Sequence, residues 1–244
     1  MIQNCTSFNS HWTMYNKAEM RSRFSAPRRG RGTRAGLEPQ TVIAAARRVV
    51  AGNGLEALTM RRLAGDLAVA PNAVYSYFPD KAALVDALID EIVGEVEAPD
   101  PQSLSWREGL MRLMLETRRV LLANRDFVPL MISRPGRGQN AIGLGEITLQ
   151  LLMRGGFGDR HAARALRALL VYTFGFVAVE LPRSAQREPD KRHALSQKAF
   201  ASAAVEFPNM ARLAPIMARA PSDAEFRAGI SALLAGLKRD AAGH

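Results

Sequence analysis

From Pro39 onward, apolar positions recur every three to four residues, the period of a helix with one buried face. Val42, Ile43, Ala46, Val49 and Val50 predict the first helix. Pro39 stands at its start, where a missing N–H costs nothing, and Gly52 and Gly54 mark its stop. Thr59 is a suitable N-cap for a second helix that turns Leu63, Ala64 and Leu67 inward. A break over 68–71 leads to a third, brief helix ending at Tyr77. After Pro79 and Asp80, the spacing of Leu84, Leu88, Ile92 and Val96 predicts an amphipathic helix over 81–97, with Asp86, Asp90 and Glu91 as solubilising charge outside.

The segment 98–104 carries two prolines and reads as a domain boundary. Beyond it, helices are expected over 105–123, 126–133, 141–154 and 161–181, separated by glycine-rich stops. A polar loop is expected over 182–193, then helices over 194–204, 209–219 and 223–239. The last carries Phe226, Ile230, Leu233, Leu234 and Leu237 on one stripe. Short β-branched runs leave no room for a sheet, so the class is all-α. The expected division is a disordered basic extension (1–36), a helix-turn-helix domain (37–97) and a larger helical domain (98–244).

Composition changes this picture in three places. With 48% hydrophobic and 23% charged residues, the body is expected to be globular. Cys5 is the single cysteine, which excludes an internal disulfide and a multi-cysteine zinc site and fits a reducing cytoplasm. No signal peptide is expected, and the longest apolar run, 168–179, is too short to cross a bilayer and reads as a buried core helix.

The net charge of +10 is uneven: Lys17, Arg21, Arg23, Arg28, Arg29, Arg31 and Arg34 face only Glu19 within 17–36. Such a tail suits a polyanion, and Arg28, Arg29 and Arg31 could form a minor-groove arm. Residues 1–19 differ from the rest, holding three of the eight asparagines and the one cysteine. Translation is therefore expected to begin at Met20.

Enzyme signatures are missing. The four histidines are dispersed without a zinc-binding spacing, and no nucleophile elbow, P-loop or dinucleotide fingerprint occurs. No metal or cofactor is expected.

The informative pattern is local. Three short helices with a tight break between the second and third form a helix-turn-helix. Leu58-Thr59-x-Arg61-x-Leu63-Ala64, followed by Tyr75-x-Tyr77-Phe78-x-x-Lys81-x-x-Leu84, resembles the TetR family of one-component regulators over residues 39–95. Ser105-Trp106, Asn124-Arg125-Asp126, Arg134-Pro135 and Gly155-Gly156-Phe157 resemble, more weakly, the regulatory domain of the tetracycline-repressor subgroup.

By position, Pro71, Asn72 and Ala73 face base edges in the major groove, Asn72 by hydrogen bonds and Ala73 against a thymine methyl. Ser76 and Tyr77 reach bases or phosphates. The resemblance implies that Arg61 reads or flanks a base, while Thr59, Tyr75 and Lys81 suit phosphates.

The resemblance also implies a homodimer on a palindromic double-stranded operator, built as a four-helix bundle from the apolar helix over 162–179 and the last helix. It implies a small-molecule pocket after the boundary, with Leu113, Thr117, Leu130, Met131, Phe174 and Glu180 as candidate lining. Glu97, Leu113, Thr117 and Leu130 fall where tetracycline repressors place polar and metal-coordinating groups. With Leu130 in place of the magnesium-ligating histidine, a more apolar effector is expected. The rival reading is a non-specific basic nucleic-acid-binding or architectural protein, which shares the charge but needs neither sensor nor dimer.

Overall fold

Every regular element is helical in the computed structural model, which describes residues 37–134, 136–184, 206–217, 219 and 221–242. The expected basic extension with its arginine arm, most of the polar loop and the helix over 194–204 lie outside these residues. The described residues form two compact units that divide between Leu84 and Val85, inside a helix rather than at the proline-rich segment.

The first unit holds α1 (Pro39–Asn53), a 3-10 turn (Leu55–Ala57), α2 (Met60–Asp66) and α3 (Pro71–Tyr75), and it takes in the start of α4 (Lys81–Val93). Pro39 begins α1 and Gly54 caps it. Val42, Ala46, Val50, Leu58, Leu63, Val74 and Leu84 are buried. The α2–α3 corner is a Schellman turn: Val69 N–H donates to Ala64 C=O (2.9 Å) and Ala68 N–H to Gly65 C=O (3.0 Å). Ala68 takes the left-handed position with φ 51°.

That conformation costs an alanine about 1–2 kcal/mol, more than the roughly 0.5–1 kcal/mol of extra chain entropy a glycine loses on folding. Ala68→Gly is therefore expected to stabilise the protein by about 0.5–1 kcal/mol. A raised urea midpoint would register this; an unchanged or lowered midpoint would show that the corner carries no strain.

The second unit contains the rest of α4, then α5 (Trp106–Ala123), a 3-10 turn (Arg125–Phe127), α6 (Val128–Ser133), α7 (Gln139–Arg154), α8 (Asp159–Ser184), α9 (Pro208–Met217) and α10 (Asp223–Ala242). Ser105 and Glu108 form a full capping box at the start of α5. Helix α5 packs against α7, α8 and α10, burying Leu110, Leu113, Met114 and Leu121 against a core that includes Leu151, Leu169, Val177 and Phe226.

Three expectations are corrected. Helix α4 stops at Val93 instead of running to 97: Gly94, a poor helix former, follows it, and the Glu95 and Val96 N–H groups turn to the Ile92 and Val93 carbonyls three residues back. Asp90 is not outer solubilising charge. Its carboxylate accepts the Ala141 N–H (3.1 Å), the Asn140 N–H (3.3 Å) and Asn140 Nδ2 (3.2 Å), capping α7 from a neighbouring helix. A β-carbon at Gly138 would collide with this carboxylate, so the cap requires glycine there. Asp86 pairs with Arg134 at 3.1 Å.

Helix α8 is the third correction. It runs through Pro182 to Ser184, and it is not buried all round. Ala162, Ala165, Leu169, Thr173 and Val177 form a buried stripe, whereas Val171 is 67% and Val179 54% exposed. By length and composition alone, its segment Asp159–Leu181 is apolar enough to cross a membrane, more than the sequence reading allowed. That test is equally met by a helix packed on one face within a protein, as here.

Candidate functional site

Helix α3 is only one turn and a half long, and two inward anchors orient it. Val74 is fully buried and Phe78, four residues on, nearly so. With that side fixed to the core, the opposite edge carries Pro71, Asn72, Tyr75 and Ser76, all exposed, with Ala73 partly so. Pro71 begins the helix, where its fixed φ suits the first turn.

Hydrogen bonding decides which of these groups have donors to spare. Thr59 caps α2 by accepting the Arg62 N–H at 3.1 Å, which leaves its hydroxyl proton available. Arg62 is occupied by Asn53 Oδ1 at 2.6 Å and by Asp66 at 3.8 Å. Arg61 is exposed and makes no hydrogen bond or ion pair among the described residues.

Ser76 donates its hydroxyl to the Ala73 carbonyl (2.7 Å), so it can accept from a base but has no proton left for a phosphate. Tyr77, partly buried, donates its single proton to the Leu37 carbonyl at 2.6 Å, pinning the chain before α1. Lys81 donates one of its three N–H groups to the Leu55 carbonyl at 3.1 Å and retains two.

The six candidate effector residues are less united. Leu113 and Met131 are buried, and Thr117, partly buried, donates its hydroxyl to the Leu113 carbonyl at 2.8 Å. Leu130 and Phe174 are partly buried. Glu180 is engaged by Arg118, whose Nε and Nη2 donate to its two oxygens at 2.9 and 2.7 Å. Of the six, Glu180 alone lines the groove of about 1090 Å³ that runs along α5.

Sequence reasoning missed Arg118. Its guanidinium also reaches Asp223 at 2.5 Å and lies over the rings of Phe176 and Phe226, 5.6 and 5.4 Å from their centroids. Burial opposes its charge, but the hydrogen bonds it donates to Glu180 and Asp223 outweigh that and hold its pKa above the ordinary arginine value. Its signal was an arginine placed between Met114 and Leu121 on the inward stripe of α5. Among the described residues, no three His, Cys, Asp or Glu side chains are grouped as a metal ion would need.

Comparison with known proteins agrees with this architecture. Residues 42–88 match the model of bacterial regulatory proteins of the tetR family, and residues 98–241 match the tetracyclin repressor-like C-terminal domain. A tetracycline repressor protein of class G from Vibrio anguillarum is 30% identical over 206 residues, covering 83% of this chain and 94% of the relative. An HTH-type transcriptional regulator from Saccharopolyspora erythraea is 31% identical over 161 residues, covering 66% and 68%. Among solved structures, the TetR family protein ActR of Streptomyces coelicolor in complex with actinorhodin superposes with a TM-score of 0.78. It is 29% identical and covers 85% of this chain and 98% of that one. With a matched helix-turn-helix and a matched C-terminal domain spanning more than half its length, the chain belongs to the TetR family of bacterial regulatory proteins and is a DNA-binding transcriptional regulator.

Proposed function

We propose that this regulator is a cytoplasmic repressor that binds a palindromic operator as a homodimer and leaves it when a small molecule binds its C-terminal domain. The observation that carries the DNA-binding part is the outward edge of α3, fixed by Val74 and Phe78, with the uncommitted Arg61 nearby in sequence on α2. Asn72 and Ala73 are assigned to base edges and Arg61 to a guanine, which an arginine can grip through two acceptors. Thr59, Tyr75 and Lys81, each with a proton to give, are assigned to phosphates. Ser76 is assigned as an acceptor from a base, and Tyr77 as a support for α3 instead of a DNA contact.

Dimerisation is supported by the outer face of α8, where Val171 and Val179 are exposed beside Gly175 and Ala178. Two recognition helices roughly 34 Å apart would read two half-sites one DNA turn apart. The functional division proposed is 37–97 for DNA and 98–244 for ligand and partner. The ActR structures with bound actinorhodin and (S)-DNPA support an effector. Leu130 in place of a metal-ligating group argues for an effector other than magnesium–tetracycline.

Selection of genomic fragments by the purified protein at near-physiological salt tests this reading. Enrichment of one or a few palindromes is expected; uniform recovery would favour the architectural alternative. On the selected operator, Arg61→Ala is expected to weaken binding by about 1–3 kcal/mol, with a smaller loss on random DNA. Equal losses on both would make Arg61 a phosphate anchor.

A further inference from the structure

The groove along α5 has chemistry that DNA binding does not use, and of the candidate effector residues only Glu180 borders it. Its floor is apolar: Leu104 precedes the helix, and Met111, Leu115 and Leu122 repeat along one side of it. These three form a ridge about 16 Å long at 1.5 Å per residue. All four floor residues are only partly buried, although α5 has already turned Leu110, Leu113, Met114 and Leu121 into the core. The helix thus carries a second apolar stripe, facing open space of about 1090 Å³.

The charges on the walls are numerous, but most are spent within the protein. Glu108 is engaged by Ser105 at the start of α5, and Glu116 by both ends of the Arg119 guanidinium, at 2.7 and 2.8 Å. Glu180 and Asp223 are held by Arg118. Four charged groups remain without a hydrogen bond or ion pair among the described residues: Arg107, Arg112 and Arg227 against Glu97. Arg107 lies over the Trp106 ring, 4.4 Å from its centroid, which leaves its N–H donors free. The groove therefore offers three unspent cations, one unspent carboxylate and an elongated apolar floor.

We propose that this groove binds an organic acid with an extended apolar body, the body lying on Met111, Leu115 and Leu122 and the carboxylate met by Arg112 and Arg227. Charge selects the anion over a cation or a neutral chain, since an arginine donates to a carboxylate through a charge-assisted pair. The floor supplies binding through burial of apolar area. This proposal does not depend on the operator or on effector release, because binding is measured without DNA.

Isothermal titration of the full-length protein with decanoate, decanol and decyltrimethylammonium, each kept monomeric, tests it. Decanoate is expected to bind at least about tenfold more tightly than the other two. Arg112→Glu/Arg227→Glu should weaken decanoate at least about tenfold while leaving the circular dichroism spectrum unchanged; both side chains are exposed. Should that pair fail to fold, Arg112→Gln and Arg227→Gln singly should each weaken decanoate several-fold. Equal affinity for the three probes, no binding of decanoate, or full affinity in the folded arginine variants would each overturn the proposal.

Discussion

Arg118→Ala is expected to lower the unfolding free energy by about 3–5 kcal/mol, the cost of removing one partner from a buried ion pair. Only 8% of the Arg118 side chain and 13% of the Glu180 side chain are exposed, so truncation strands a desolvated carboxylate on α8. Asp223, at 72% exposure, regains water and contributes little to the loss. The alanine also forfeits the contacts between the guanidinium and the faces of Phe176 and Phe226.

The penalty arises from the stranded charge, so removing that charge as well should relieve it. Arg118→Met/Glu180→Leu is expected to recover most of the stability, since an apolar pair of similar volume commonly matches a buried ion pair. Urea unfolding of both variants checks this. A loss below about 1 kcal/mol for the single variant would show that water reaches Glu180 freely.

Val171→Glu is expected to convert the proposed dimer into a folded monomer. Val171 is 67% exposed in one chain, so the substitution spares the protomer's own core. In a two-fold interface the carboxylate is buried twice, once from each protomer. Together these desolvations cost about 4 kcal/mol, a factor of roughly 10³ in the dissociation constant. Light scattering should then report the protomer's mass, and operator affinity should collapse with it, because each half-site alone holds one recognition helix. A dimeric mass for the folded variant would place the interface away from this face of α8. The last helix is a poorer place for such a test. Leu234, Ile230 and Phe226 are inside the protomer's own core, and Leu233 is already partly covered there.

The elements legible in the sequence share one property: their signals are local. Pro39 and Gly54 bound α1, Thr59 caps α2, and Ser105 with Glu108 starts α5, each through contacts within a few residues. The α2–α3 corner belongs to this group, since the spacing of Leu63, Val74 and Phe78 fixes which edge of α3 turns outward. The exposed edge of α3 could therefore be named beforehand. What spacing could not disclose was which protons were already committed, as with Tyr77 and the Leu37 carbonyl forty residues away.

Tertiary structure alone decided the features built from distant parts of the chain. Asp90 and the N–H groups it caps are fifty residues apart, so its amphipathic position suggested only solvent. Arg118 finds Glu180 and Asp223 at separations of 62 and 105 residues, a pairing that no spacing on α5 announces. The apolar run in α8 read as a buried core helix, yet only packing selects which side meets the core and which stays exposed. Periodicity and capping record how a helix begins, ends and divides its faces. The partner of each face, and of each buried charge, depends on long-range packing, which local sequence spacing does not encode.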